Sequence, residues 1–228
     1  GVDLGDVTGL ARVYVDDNNT AATTTLTDLV TGVDVLMTTG AASTLVVDMK
    51  DKALLDNSLN LEITAVTTSA NIDIEDVEIL TLDQEGAGSV DMAGVLMTTA
   101  GKTSTLNVTG DAALTITALH ADVTTIDASS MITGGQVIMT GRSATAASTY
   151  TGTDGADTFI KMNKSDVLTG GAGADTLDIN YNAILGGIAV DLSSTTNQVE
   201  SFNGSASSAA TTGFVNVDLS GYTGSFGS

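Results

Sequence analysis

The sequence predicts an all-β chain: a right-handed parallel β-helix, or β-solenoid, that carries a short roll of nonapeptides. Three observations predict it. Short apolar or alternating runs recur roughly every ten residues with Gly, Asp, Asn, Ser or Thr between them, a strand-and-turn cadence that fits helix poorly. Phrases of strand plus turn return further along the chain, as they do where units unable to bury an apolar face alone are stacked. Finally, 152–178 reads as three nonapeptides in unbroken register, GTDGADTFI, KMNKSDVLT and GGAGADTLD.

The runs are, in order, 44–48 (TLVVD), 59–63 (LNLEI), 71–74 (NIDI), 78–82 (EILTL), 89–92 (SVDM), 105–108 (TLNV), 113–116 (ALTI), 124–128 (TTIDA), 136–139 (QVIM) and 216–219 (NVDL). In 59–63, Leu59, Leu61 and Ile63 alternate with Asn60 and Glu62, which gives each strand one apolar and one polar face. Alternation alone suits an antiparallel sandwich as well. Repetition favours the solenoid. Val35-Leu36-Met37-Thr38-Thr39 followed by Ser43-Thr44-Leu45 returns as Val95-Leu96-Met97-Thr98-Thr99 followed by Ser104-Thr105-Leu106. Likewise Thr125-Ile126-Asp127-Ala128-Ser129 with Thr133-Gly134 resembles Asn216-Val217-Asp218-Leu219-Ser220 with Thr223-Gly224. Segments 26–30 and 53–59 read as a helical turn or a loop that caps the coil interior. The expected layout is solenoid coils over 1–150, the nonapeptide segment over 151–178, and further coils over 179–228. Both ends read as cut, so the chain is expected to be part of something longer.

The third nonapeptide, 170–178, fits the pattern G-G-x-G-x-D-x-U-x at every fixed position. Its chemistry is that of a calcium loop: glycines turn the backbone with positive φ, aspartate at position six offers a hard oxygen, and the apolar residue at position eight enters a strand. Asp157, Asp166 and Asp175 hold position six, and Phe159, Leu168 and Leu177 hold position eight. One turn of a parallel roll uses two nonapeptides, so Asp157 and Asp175 are expected on one edge, a turn apart, with Asp166 on the opposite edge. Because Ca²⁺ takes 6 to 8 oxygens, the expected ligands add main-chain carbonyls of Thr153, Gly155, Gly171 and Gly173 to the two carboxylates. Asp154 adds an oxygen or tunes the field. The Asp166 nonapeptide lacks glycine and is followed by a degenerate stretch over 179–182, which points to a weak site or none. A metal-free glycine-rich turn is the plainer alternative throughout.

Composition agrees with a narrow, metal-supported stack. The 228 residues are 42% hydrophobic but only 4% aromatic, without Trp, Pro or Cys, so small and aliphatic side chains must fill the core. Seven Lys plus Arg against 28 Asp plus Glu give a net charge of −21, which opposes nucleic-acid binding and favours hard cations. The lack of cysteine removes disulfides and thiolate metal sites. No run approaches the roughly 20 apolar residues of a membrane helix, and the first residues do not resemble a signal peptide. Asp16-Asp17-Asn18 is a second-rank calcium candidate, whereas Glu75-Asp76 and Asp83 with Glu85 read as solvated turns. Catalysis finds no constellation: His120 is the single histidine, no nucleophile elbow or metalloprotease helix exists, and no carboxylate pair stands out for sugar cleavage. The chain is not expected to be an enzyme.

The nonapeptides of 152–178 resemble those of RTX proteins, and the Thr/Ala/Ser/Val/Gly-rich remainder, with phrases such as 106–114 (LNVTGDAAL) and 125–130 (TIDASS), resembles S-layer proteins that carry RTX segments. The resemblance implies a calcium-loaded structural protein, exported by type I secretion, that self-assembles with identical subunits into a two-dimensional lattice on the extracellular cell surface. It also implies tethering to surface polysaccharide through another part of the chain, with no nucleic acid and no membrane insertion. The rival readings are the stalk of an RTX adhesin and the non-catalytic RTX part of a polysaccharide-cleaving or proteolytic enzyme.

Overall fold

The computed structural model describes residues 1–16, 23–38, 44–64, 70–86, 88–96, 103–131, 135–142, 146–179 and 186–222, with backbone alone for 70 and 88–96. Among these residues all regular structure is strand, and no helix is long and apolar enough to cross a membrane. Asp17, Asn18, Thr39, Ser43, Met97, Thr98, Thr99, Thr133, Gly134, Thr223 and Gly224 lie outside the described residues, as does most of 179–182.

Two long parallel sheets form the body. The first has ten strands: β1 (Val2–Asp3), β3 (Thr23–Leu29), β5 (Thr44–Met49), β7 (Ala70–Glu75), β9 (Gly88–Leu96), β11 (Leu114–Leu119), β13 (Val137–Met139), β15 (Thr158–Ile160), β17 (Thr176–Asp178) and β22 (Asn216–Asp218). The second has nine: β2 (Arg12–Val15), β4 (Asp34–Met37), β6 (Ser58–Ile63), β8 (Ile79–Gln84), β10 (Ser104–Gly110), β12 (Val123–Asp127), β14 (Thr149–Thr151), β16 (Val167–Thr169) and β21 (Thr211–Thr212). Up to β17 the chain alternates between the sheets, each strand pairing in parallel with the strand two places on; β16 and β17 then pair with β21 and β22. That is the topology of a parallel β-solenoid.

Alternation decides which side chains enter the stack. In β5 and β6 every second residue is buried, so Leu45, Val47 and Met49 of one sheet and Leu59, Leu61 and Ile63 of the other close a shared core. The same period continues through Leu80 and Leu82 to Leu106 and Val108. Aromatic rings enter this core only late, at Tyr150 and Phe159, whose centroids are 5.6 Å apart, and at Phe202 and Phe214.

Coil length changes along the stack, and the change positions the candidate site. Upstream, Thr44 pairs with Asn71, 27 residues on, and the 137 position lies 20 residues before Asp157. At the nonapeptides Thr158 pairs with Thr176 and Thr149 with Val167, and the coil is 18 residues long. Two nonapeptides thus make one turn of the chain.

The structure departs from the sequence reading in two places and sharpens it in another. Segment 26–30 is not a helical turn: its first four residues belong to β3, which shifts register between Leu26 and Leu29. The recurring phrases do not mark whole coils, since Val35-Leu36-Met37 lies in the second sheet and Val95-Leu96 in the first. The Asp127 phrase and its Asp218 counterpart are divided in the same way. The repeating unit is therefore half a coil, one strand and its turn. In that turn the aspartate caps the chain: Asp127 Oδ1 accepts from Ser129 N (3.0 Å) and Ser129 Oγ (2.6 Å), and Asp218 Oδ1 accepts from Ser220 N (2.8 Å). Third, β18 (Ala189–Val190), β19 (Val199–Phe202) and β20 (Ser205–Ala206) form a small antiparallel sheet between β17 and β21 before the coils resume.

Candidate cation site

The short strands β14 to β17 place the three position-six aspartates at the corners. Asp157 and Asp175 precede β15 and β17 on one edge, one turn apart, and Asp166 precedes β16 on the other. All three are buried.

Each carboxylate first serves the backbone. Val137 N donates to Asp157 Oδ1 (2.6 Å), Asp157 N to Asp175 Oδ1 (2.9 Å), and Ser148 N to Asp166 Oδ1 (2.9 Å). One oxygen of every position-six aspartate therefore reaches back to the N–H of the coil before it. The calcium pattern does not reveal this role, which explains aspartate at that position even where the glycines are missing.

The second oxygen differs at each corner. Asp157 Oδ2 accepts from Thr153 N (2.6 Å), with the Thr153 hydroxyl 3.0 Å away. That hydroxyl also lies 2.8 Å from the Gly135 carbonyl and accepts from Gly155 N (2.8 Å). Asp175 has Gly171 where Asp157 has Thr153, and its Oδ2 is buried without a hydrogen-bond donor among the described residues. Burial pushes the Asp157 and Asp175 carboxyls above the usual carboxylate range, and the charge of Asp157 adds to the effect on Asp175. This edge thus holds negative charge that a cation or a proton would relieve.

Gly171 and Gly173 have φ of 109° and 117°, as the glycine-rich pattern requires. A Cβ on Gly171 would meet the Thr153 carbonyl oxygen, and one on Gly173 would meet that of Gly155. The carbonyls expected as ligands from the upper loop accordingly lie against the glycines of the lower one. Asp154 is exposed on the outside of its turn. A cleft of about 520 Å³ opens between the Gly171–Gly173 turn and Leu192 to Thr195 of the inserted segment.

At the opposite edge the charge is already matched. Arg142 Nη1 lies 3.0 Å from Asp166 Oδ2 and Nη2 lies 3.3 Å from Oδ1, with both side chains fully buried. Met162 N and Asn163 N also donate to Oδ2, at 2.9 and 2.8 Å. Lys161 is buried beside them and donates from Nζ to the Asp166 carbonyl (2.9 Å) and Thr211 Oγ1 (3.1 Å). Neither cation was singled out from sequence. Their signal is composition: in a chain with seven basic residues, each one between short β runs merits a search for its acid.

Three of the remaining acids cluster, and one of them, Asp76, is buried rather than in a solvated turn. Asp48, Glu75 and Asp76 bring carboxylate oxygens within 4.8 Å of one another, because Asp48 pairs with Glu75 across neighbouring coils. Lys52 Nζ sits 2.6 Å from Asp48 and 3.8 Å from Asp76. Exposed Glu85 is pushed up chiefly by the charge of Asp83, and Asp16 is exposed. His120 accepts from Asp122 N through Nδ1 (3.2 Å) within a turn.

Fold and corners together define a class, the two-sheet parallel β-solenoid with buried carboxylates along its edges. Comparison with protein-family models, with curated proteins and with solved structures returns no match.

Proposed function

We propose that the chain is a structural, non-enzymatic part of a calcium-dependent S-layer subunit of RTX character, exported to the bacterial cell surface by type I secretion and assembling there with copies of itself. One observation carries the reading: two buried carboxylates stacked one 18-residue turn apart, the lower with an oxygen that lacks a donor among the described residues. Unfolded, Asp157 and Asp175 are separate and hydrated; coil stacking brings them to one edge. A Ca²⁺ ion there, held by Asp175, Asp157 and carbonyls of Thr153, Gly155, Gly171 and Gly173, offsets their repulsion. It adds RT ln(1 + [Ca²⁺]/Kd) to stability, with Kd on the order of 10⁻⁴ to 10⁻³ M for extracellular modules. Such affinity leaves the Asp157–Asp175 edge open during export and closes it outside.

Calcium titration of the wild-type chain and of the Asp157→Asn/Asp175→Asn variant tests the site. The expected result is saturable binding that the double variant loses, and equal binding by both overturns the assignment. Electron micrographs with and without a chelator test the assembly: calcium-dependent sheets support it, and isolated rods in both conditions support the adhesin-stalk reading instead. The stalk reading has its own support in the unbranched run of coil upon coil through two long sheets.

A further inference from the structure

The three aspartate corners share one backbone contact and differ in their counter-charge, and the Asp166 corner shows what the difference is for. Every hydrogen bond that the Arg142 guanidinium makes among the described residues ends on oxygen, namely both carboxylate oxygens of Asp166, the Ala146 carbonyl (2.8 Å), the Ser148 hydroxyl (2.6 Å) and the Ile160 carbonyl (3.4 Å), while Nε is buried without a partner there. A carboxylate, two carbonyls and a hydroxyl gathered around the two terminal nitrogens of a buried side chain are the oxygen types that hard cations take. Its occupant arrives from 24 residues upstream as a side chain. We propose that this corner is a cation cradle whose resident ion is the tethered guanidinium of Arg142, so that the stack has one edge that responds to free divalent cations and one that does not.

The consequence is a division of labour within a single coil. An ion carried on the chain is present at any calcium concentration, so β14 and β16 can pair before calcium arrives. The corner before β17 waits for calcium; this last clause rests on the calcium reading above, whereas the assignment of Arg142 does not. The planar guanidinium spans both carboxylate oxygens and lies 5.2 Å from the centre of the Tyr150 ring, a fit that a lysine ammonium would not reproduce.

The proximity of Tyr150 supplies the assay. A lanthanide ion bound in the cradle sits next to a tyrosine and emits on excitation of that ring. Arg142→Ala is expected to lower Tm by roughly 10 °C in chelator, the effect of leaving a buried carboxylate unpaired. Millimolar calcium or guanidinium ion should restore most of the loss. Terbium should give tyrosine-sensitised emission in Arg142→Ala that disappears in Arg142→Ala/Asp166→Asn and in Arg142→Ala/Tyr150→Phe. Arg142→Lys should fold in chelator without such emission. The proposal is overturned if Arg142→Ala is as stable as wild type in chelator, if no cation restores it, or if its terbium emission survives loss of Asp166. Asp157→Asn/Asp175→Asn in the same background separates the two ideas. Loss of the wild-type calcium response together with retention of the Arg142→Ala gain supports both, whereas a retained wild-type response counts against the calcium reading alone.

Discussion

The coils before residue 131 and those of 146–179 are closed by different means. Upstream, strands of six or seven residues such as β5, β6 and β10 each bury three or more side chains, and the core is an aliphatic ladder. In the nonapeptide coils each strand has three residues and buries one or two, while the corners hold Asp157, Asp166, Asp175 and Lys161 in the interior. Shortening the coil removes apolar ladder and moves the burden of closure to charged corners. Stability upstream should therefore be indifferent to ions, and stability at the nonapeptides should depend on them.

The largest expected effect tests the indifferent half. Leu82 is fully buried in the middle of the stack, paired with Leu61 on one side and Val108 on the other. Leu82→Ala should cost about 2–5 kcal/mol, the range for a buried leucine whose surroundings relax only in part. The loss, measured by urea unfolding, should be equal in calcium and in chelator. Dependence of that loss on calcium would erase the distinction between the two halves.

Next in size is Gly171→Ala. The residue would be forced into a φ of 109° with its Cβ against the Thr153 carbonyl, a strain of about 1–3 kcal/mol confined to the stacked loops. Here the two halves should separate: hydrogen exchange should quicken at 170–178 and stay unchanged at β5 to β8. Uniform quickening would mean that the solenoid unfolds as one unit.

A sharper contrast lies between the two aspartates of one edge. Asp157→Asn replaces an acceptor-only group that receives Val137 N and Thr153 N with an amide whose NH₂ must face one of those donors. It should destabilise by about 1–3 kcal/mol with or without calcium. Asp175→Asn leaves the bond from Asp157 N intact, and its amide N takes the place of an oxygen without a donor among the described residues. In chelator it should be neutral or stabilising, and its calcium response should fall. Identical behaviour of the two variants would show that Thr153 in place of glycine does not distinguish the loops.

How much of this was legible follows from the reach of each interaction. In-out alternation is a local property, so strands such as 59–63 and 105–108 were readable within a residue or two of their bounds. The superposition of Asp157 on Asp175 was readable because 18 residues is two nonapeptides, a period written in the sequence itself. Arg142 was not, because it reaches Asp166 across a coil of different length and no motif carries that offset. The antiparallel insertion was also missed, although Asn203-Gly204, with φ of 52° and 73°, is the two-residue turn of a hairpin. Its flanking strands are too short to show a period. The repeat was readable as one strand plus its turn, but not the sheet each copy joins, since a phrase that serves either sheet carries no mark of which one it joins.

Lys161 gives the smallest effect and tests the interior cations at the nonapeptide end most directly. Burial, and to a lesser degree the charge of Arg142, push its ammonium down from 10.5 to about 8, against partial support from Asp166. Its contacts are a carbonyl, a hydroxyl and the Phe202 ring at 5.9 Å, none of which carries a formal charge. A lysine whose folded pKa lies below its unfolded value contributes stability that is present above the unfolded value and lost as pH falls through the folded one. Stability should therefore be flat with respect to this group below about pH 8 and rise between pH 8 and 10.5. Lys161→Met, apolar and of similar length, should remove that rise and match or exceed wild-type Tm at pH 7. Because burial also pushes the Tyr150 phenol up, the measurement is the difference between the two Tm profiles, which cancels what the chains share. Profiles that stay parallel from pH 7 to 10.5 would place the Lys161 ammonium in a wetter setting than its full burial implies, and the nonapeptide end would then hold a single interior cation, Arg142, rather than two.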